Sequence, residues 1–179
     1  TFDDSSPGQF RYLEQDGEVS IDPDSAVGIL LAFHRAHPDF AAKATFYVLP
    51  AAAQPHRLFG QPAHERRKLR HLVELGFEIG NHTLWHANLG GADAATIRYQ
   101  LASALRIIQE AVPGYRVRTL ALPFGAYPAD LAPATLGEAQ GTAYRHEAIL
   151  MVAGGAAPSP FAAAILFNFP LSLMNHAQA

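Results

Sequence analysis

Two polar clusters in this chain have the residue types and spacing to do chemistry. Asp3 and Asp4 are adjacent, and His82 and His86 sit four positions apart within Asn81-His82-Thr83-Leu84-Trp85-His86. Two imidazoles at that spacing project the same way from a helical turn and can share one divalent cation. Nine histidines in 179 residues yield roughly half such a pair by chance, so the spacing alone is weak. Its context strengthens it, because the pair follows a short apolar run and an asparagine rather than lying along an amphipathic helix. Neighbouring acids at a strand end point in different directions. One can therefore ligate a cation while the other takes a proton from water, its ionised form favoured by the nearby positive charge. The plain alternative for Asp3-Asp4-Ser5-Ser6 is a helix cap or a turn.

The elements around these clusters must bring them to one face. Residues 44–49 are aromatic and β-branched and stop at Pro50, which predicts a short buried strand. Residues 77–79 predict another, running into Gly80-Asn81-His82, and residues 117–122 a third, running into Pro123-Phe124-Gly125. Between them, residues 63–75 carry Leu69, Leu72, Val73 and Leu75 on one side and end at Gly76. Residues 96–112 carry Ile97, Leu101, Leu105, Ile108 and Val112 in helical register. An earlier helix is expected over residues 24–37, with Asp22 and Asp24 available to cap it and Pro38 ending it. A strand is expected at 148–152, followed by a loop at 154–160. Alternating strands and helices predict an α/β architecture with a mainly parallel sheet. In such folds ligands gather at the C-terminal strand ends, where the acidic pair, the histidine pair and the Pro-Phe-Gly turn would all fall.

Composition narrows the field. The length suits one domain with a substantial core. A net charge of -3, with no long single-sign run, gives no reason to expect a nucleic-acid partner. The absence of cysteine excludes disulfides, thiolate metal sites and a cysteine nucleophile. The longest strongly apolar stretch, 161–167, is too short to span a bilayer, so no transmembrane segment is expected. The opening Thr-Phe-Asp-Asp reads as the end of a buried strand, with the rest of that strand and any export signal expected upstream.

Thr1-Phe2-Asp3-Asp4, His82-Thr83-Leu84-Trp85-His86 and Pro123-Phe124-Gly125, taken together, resemble the polysaccharide deacetylase family, the chitooligosaccharide deacetylase-like carbohydrate esterases. Lys43-Ala-Thr-Phe-Tyr-Val and Gly76-Phe-Glu-Ile-Gly-Asn resemble its intervening segments, and the likeness spans roughly residues 1 to 127. The resemblance implies a distorted (β/α) barrel, incomplete in this sequence, forming a single deacetylase-like catalytic domain over residues 1–179. It implies Asp3 as the catalytic base, and Asp4, His82 and His86 as ligands of a divalent cation, zinc first, with cobalt or nickel also suited to two nitrogens and a carboxylate. It also implies that Pro123, Phe124 and Gly125 wall a substrate groove, with the Phe124 backbone N–H directed to the oxyanion. The reaction implied is removal of N-acetyl groups from N-acetylhexosamine units of a polysaccharide or oligosaccharide, releasing acetate. The location implied is extracellular or the cell envelope of a bacterium. The alternatives are an amidase acting on a small C–N bond and a non-catalytic metal- and glycan-binding relative.

Two departures from the family pattern stand out. Ser5 replaces the usual glycine after the acidic pair, and Ala121 stands where the third motif carries an arginine that orients the catalytic acid. Arg116 or Arg118 would have to reach in to replace it. The family's general-acid histidine has no clear counterpart, which leaves His146 as the candidate and His176 as a weaker one. Trp85 is expected to pack beneath the site, with stacking on a sugar ring as the alternative. The cluster Arg66, Arg67, Lys68 and Arg70 reads as the solvated side of a helix, and His34, His37, His56, His64 and His71 are given no chemistry.

Overall fold

A computed structural model describes residues 1–151. The end of the expected 148–152 strand, the 154–160 loop and His176 lie outside the described residues. The elements are a hairpin of β1 (Tyr12–Gln15) and β2 (Glu18–Ile21), then α1 (Ala26–Ala36), β3 (Thr45–Val48), α2 (Glu65–Glu74), β4 (Glu78–Asn81), α3 (Ala94–Ala111) and β5 (Thr119–Ala121). A single turn of helix, α4 (Ala132–Thr135), leads into a second hairpin, β6 (Leu136–Ala139) and β7 (Thr142–Arg145), and then into β8 (Ala148–Leu150).

β3, β4, β5 and β8 form one parallel sheet in that order. Phe2 adds a parallel bridge to Phe46 on β3, with Tyr47 N–H donating to Phe2 O at 2.8 Å, so the opening residues lie strand-like along the sheet edge. α2 and α3 each bury an apolar stripe against the sheet. α3 contributes Ile97, Leu101, Leu105 and Ile108, which meet Leu120 and Ile149 from the sheet in one core with Phe46, Val48 and Ile79. Side chains buried so fully are the ones whose truncation to alanine costs about 2–5 kcal/mol each. Among the described residues no helix is long and apolar enough to cross a membrane.

The expectations for the α1 cap and for Lys68 need correction. Ser25, not Asp22 or Asp24, caps α1, its hydroxyl accepting from Gly28 N–H, while the Asp22 carboxylate is taken by Arg11 and by the Asp24 N–H. Both hairpins went unanticipated. Their turns, Asp16-Gly17 and Gln140-Gly141, have positive φ at both positions, the backbone that matches strand twist, but the flanking strands alternate too weakly to stand out. The connection from β5 to β8 runs through α4 and the second hairpin, which packs on α3. Lys68, expected on a solvated face, is fully buried.

Candidate functional site

The three motifs each follow the C-terminal end of a strand-like segment, and the parallel pairing puts those ends side by side. After Phe2 the chain turns sharply, with Asp4 at φ 74° and Ser5 at φ 47°, a left-handed backbone that non-glycine residues seldom adopt. Gln9 Nε2 donates to the Asp3 carbonyl, and Ser5 Oγ accepts the Leu49 N–H at 2.7 Å. The serine that departs from the family pattern therefore satisfies a buried donor that a glycine could not.

The histidine segment is a turn, not the helical turn that the spacing suggested. Asn81 Oδ1 accepts the Thr83 N–H at 2.9 Å while its Nδ2 donates to Leu101 O, tying the turn to α3. Thr83 Oγ1 then accepts the Ala87 N–H, and Thr83 and His86 both take positive φ, at 70° and 68°. This irregular backbone brings the two rings together, their centroids 5.0 Å apart.

Asp4 Oδ1 lies 3.3 Å from His82 Nε2 and 3.2 Å from His86 Nε2. His82 Nδ1 is 2.8 Å from Ala121 O. A carbonyl only accepts, so Nδ1 carries a hydrogen, and in the neutral ring the Nε2 lone pair faces the carboxylate. Two acceptors facing one another at that distance need a proton or a cation between them. One carboxylate and two imidazoles, all three ligand atoms within 4.8 Å of one another, suit a zinc-like divalent ion. Anchoring His82 through its other nitrogen is the usual way of orienting such a ligand. His86 is held below its ordinary pKa by burial first and by His82 second, against the pull of Asp4, which favours the neutral ring that a metal requires.

Asp3 is brought to the same strand end. Among the described residues its carboxylate makes no hydrogen bond or ion pair. Its charge is one of those that, behind burial, raise the buried Tyr47 phenol to about 12. Tyr47 was not singled out in the sequence. Gly80 hints at it, since a Cβ there would collide with the Tyr47 ring. The Pro123-Phe124-Gly125 turn is closed by Gly125 N–H to Leu122 O and Ala126 N–H to Pro123 O, neither of which uses the Phe124 N–H. Phe124, at φ 61°, is 65% exposed and sets its ring edge-on to His86, the centroids 4.4 Å apart.

Trp85 is not packed beneath the site. It is 48% exposed and tilts against Tyr99 of α3 at 5.9 Å, because the turn directs His82 inward and Trp85 outward. His146 is not brought to the site either. It precedes β8, whose Ala148 pairs with Thr119 at the start of β5, so it lies at the far end of the sheet, bonded to Ala134 O at 2.7 Å. Arg116 and Arg118 also precede β5 and face Glu147, at 2.9 and 3.7 Å, so neither takes the place that Ala121 leaves empty. His56, from the loop after β3, is an exposed histidine whose charge does bear on His86.

The profile of the polysaccharide deacetylase family matches residues 38–139. A chitooligosaccharide deacetylase of Sinorhizobium fredii is 29% identical over 102 residues, covering 57% of this chain and 40% of that protein. Another of Bradyrhizobium sp. is 29% identical over 69 residues, covering 38% and 32%. Among solved structures, a CE4 family pseudoenzyme from Bacillus anthracis aligns with TM-score 0.43 and 26% identity over 57% of this chain and 32% of that one. The chain thus spans about a third to two fifths of the length of the curated relatives it matches. With more than half of its residues under the family profile, and its parallel sheet forming part of a distorted (β/α) barrel, the chain belongs to the polysaccharide deacetylase family.

Proposed function

We propose that this chain carries the cation-binding side of an active site that hydrolyses the acetamide of N-acetylhexosamine units in a polysaccharide, releasing acetate. The observation that carries the reading is the convergence of Asp4 Oδ1 with the Nε2 atoms of His82 and His86, at 3.3 and 3.2 Å, beside an uncommitted Asp3. Asp4, His82 and His86 would hold the ion, zinc being the first choice. A bound divalent cation supplies polarisation of a carbonyl oxygen and a lowered pKa for water.

Asp3 serves as the base, taking a proton from the water that attacks the acetamide carbon. The Phe124 N–H, unused by its own turn, donates to the oxygen on which negative charge develops. Phe124, against His86, and the Trp85–Tyr99 pair offer exposed aromatic faces suited to the apolar face of a pyranose ring. The buried position of His146 argues against its protonating the departing amine. A glycan of this class is met outside the cytoplasm, which supports export to the extracellular space or bacterial envelope.

The test is acetate release from chitooligosaccharides by the full-length protein, before and after chelation and with zinc restored. Turnover that survives complete metal removal would sink this reading. One observation favours a second reading, a non-catalytic glycan-binding relative: Ala121 leaves Asp3 without a guanidinium partner. Zinc and glycan binding with no acetate release would select it.

A further inference from the structure

Lys68 is the most unexpected buried charge among the described residues. Its ammonium donates to Phe59 O at 2.9 Å and lies 5.7 to 5.9 Å from the ring centres of Phe10, Tyr12 and Phe59. Burial pulls its pKa down to about 8, with Glu65 opposing only in part. The rings of Phe10, Tyr12 and Phe59 would accept an apolar side chain here, so the lysine must be judged by the carbonyl it holds.

That carbonyl belongs to a strained loop, with Leu58 at φ 43° and Phe59 at φ 69°. The Phe59 N–H donates to Ser5 O at 2.9 Å. Ser5 is itself fully buried, and its hydroxyl accepts the Leu49 N–H at the end of β3. Ser5 is therefore gripped from two directions, by the sheet through its side chain and by the Phe59 loop through its carbonyl. Both grips act on the residue that follows Asp4, and both residues hold a backbone that L-amino acids avoid when unsupported.

We propose that Ser5 is a positioning residue for Asp4, and that Lys68 extends the same brace one layer outward through Phe59, so that affinity for the cation depends on a buried lysine with no place in the site. Neither residue ligates the ion or touches substrate. The inference rests on the reading of Asp4, His82 and His86 as a metal site.

The experiment is titration of zinc into the metal-free full-length protein, its Ser5→Ala, Ser5→Gly and Lys68→Met variants, and the Ser5→Ala/Lys68→Met double variant. Circular dichroism melts of the metal-free proteins separate positioning from folding. The expected result is a zinc Kd raised about tenfold in Ser5→Ala, in the range of other supporting residues of metal ligands, and a smaller rise in Lys68→Met. The losses in the double variant should depart from the product of the two single losses, because both grips act on the backbone of the same residue, Ser5. Amide exchange at Phe59 in the metal-free protein should quicken in Lys68→Met, a readout that needs no metal. Should Ser5→Ala fail to fold, Ser5→Gly takes the positive φ without strain and carries the comparison. Parental zinc affinity in Ser5→Gly, or fully multiplicative losses in the double variant, overturns the brace alone. No zinc binding by the parent overturns the metal site and the brace with it.

Discussion

His82 and His146 are both buried, and both anchor Nδ1 on a backbone carbonyl, at 2.8 Å to Ala121 and 2.7 Å to Ala134. They differ in what Nε2 meets. At the C-terminal strand ends the His82 Nε2 faces Asp4, whereas at the opposite end the His146 Nε2 is enclosed with no partner among the described residues. The same anchored ring is thus a candidate ligand in one place and a core side chain in the other. What separates them is which end of a parallel sheet the preceding turn delivers them to.

The comparison can be broken most directly through the base that accompanies His82. Asp3→Asn should lower acetate release by roughly 10²–10⁴-fold, the usual worth of a positioned base, while zinc affinity stays near parental. If both fall together, Asp3 belongs to the ligand set. Next comes the pair of rings themselves. His82→Ala should weaken zinc binding by more than the roughly 100-fold that supporting residues cost at most, and His146→Ala should leave it unchanged. Calorimetric titration of the two variants would erase the contrast if their affinities matched.

His146 has its own signature in acid. Burial holds its pKa down to about 4, against 6.5 when unfolded, so the unfolded chain takes up the proton first as the pH falls. Its contribution is complete above pH 6.5 and is lost progressively toward pH 4, up to about 3 kcal/mol in all. Its ring neighbour Tyr144, raised to about 12 by burial, stays neutral across that window. Urea denaturation of His146→Leu should show a flatter dependence between those pH values, and an unchanged slope would assign the acid lability elsewhere. The smallest effect concerns the exposed ring beside His86. Trp85 is the one tryptophan in this sequence, so its fluorescence should blue-shift as chitooligosaccharide binds. Trp85→Ala should raise KM a few-fold with kcat little changed, and an unperturbed spectrum at saturation would remove Trp85 from the sugar site.

Much of the frame was legible beforehand because local physics writes it. The strand at 45–48 and the helix at 94–111 show their burial in residue type and period, and both were expected within two residues of their ends. The hairpins were obscure, since β1, β2, β6 and β7 lie half on the surface and alternate weakly. Lys68 was misread for a related reason: a charged residue in a basic run reads as solvated unless one knows that Phe10, Tyr12 and Phe59 close over it. Ser25 is the cap rather than the two aspartates because α1 begins at the residue after it, while Arg11 claims the Asp22 carboxylate.

By itself the sequence determined which residues have the chemistry: a carboxylate pair, two histidines and a Pro-Phe-Gly turn, each set just beyond a short apolar run. These are properties of residue type and neighbouring positions, and need no long-range information. Only the tertiary structure decided that Asp4, His82 and His86 meet, that Trp85 faces outward, that Arg116 and Arg118 pair with Glu147, and that His146 is enclosed at the far end. Those outcomes depend on which strand lies beside which and which end each turn occupies, and a pattern read along one chain does not contain them.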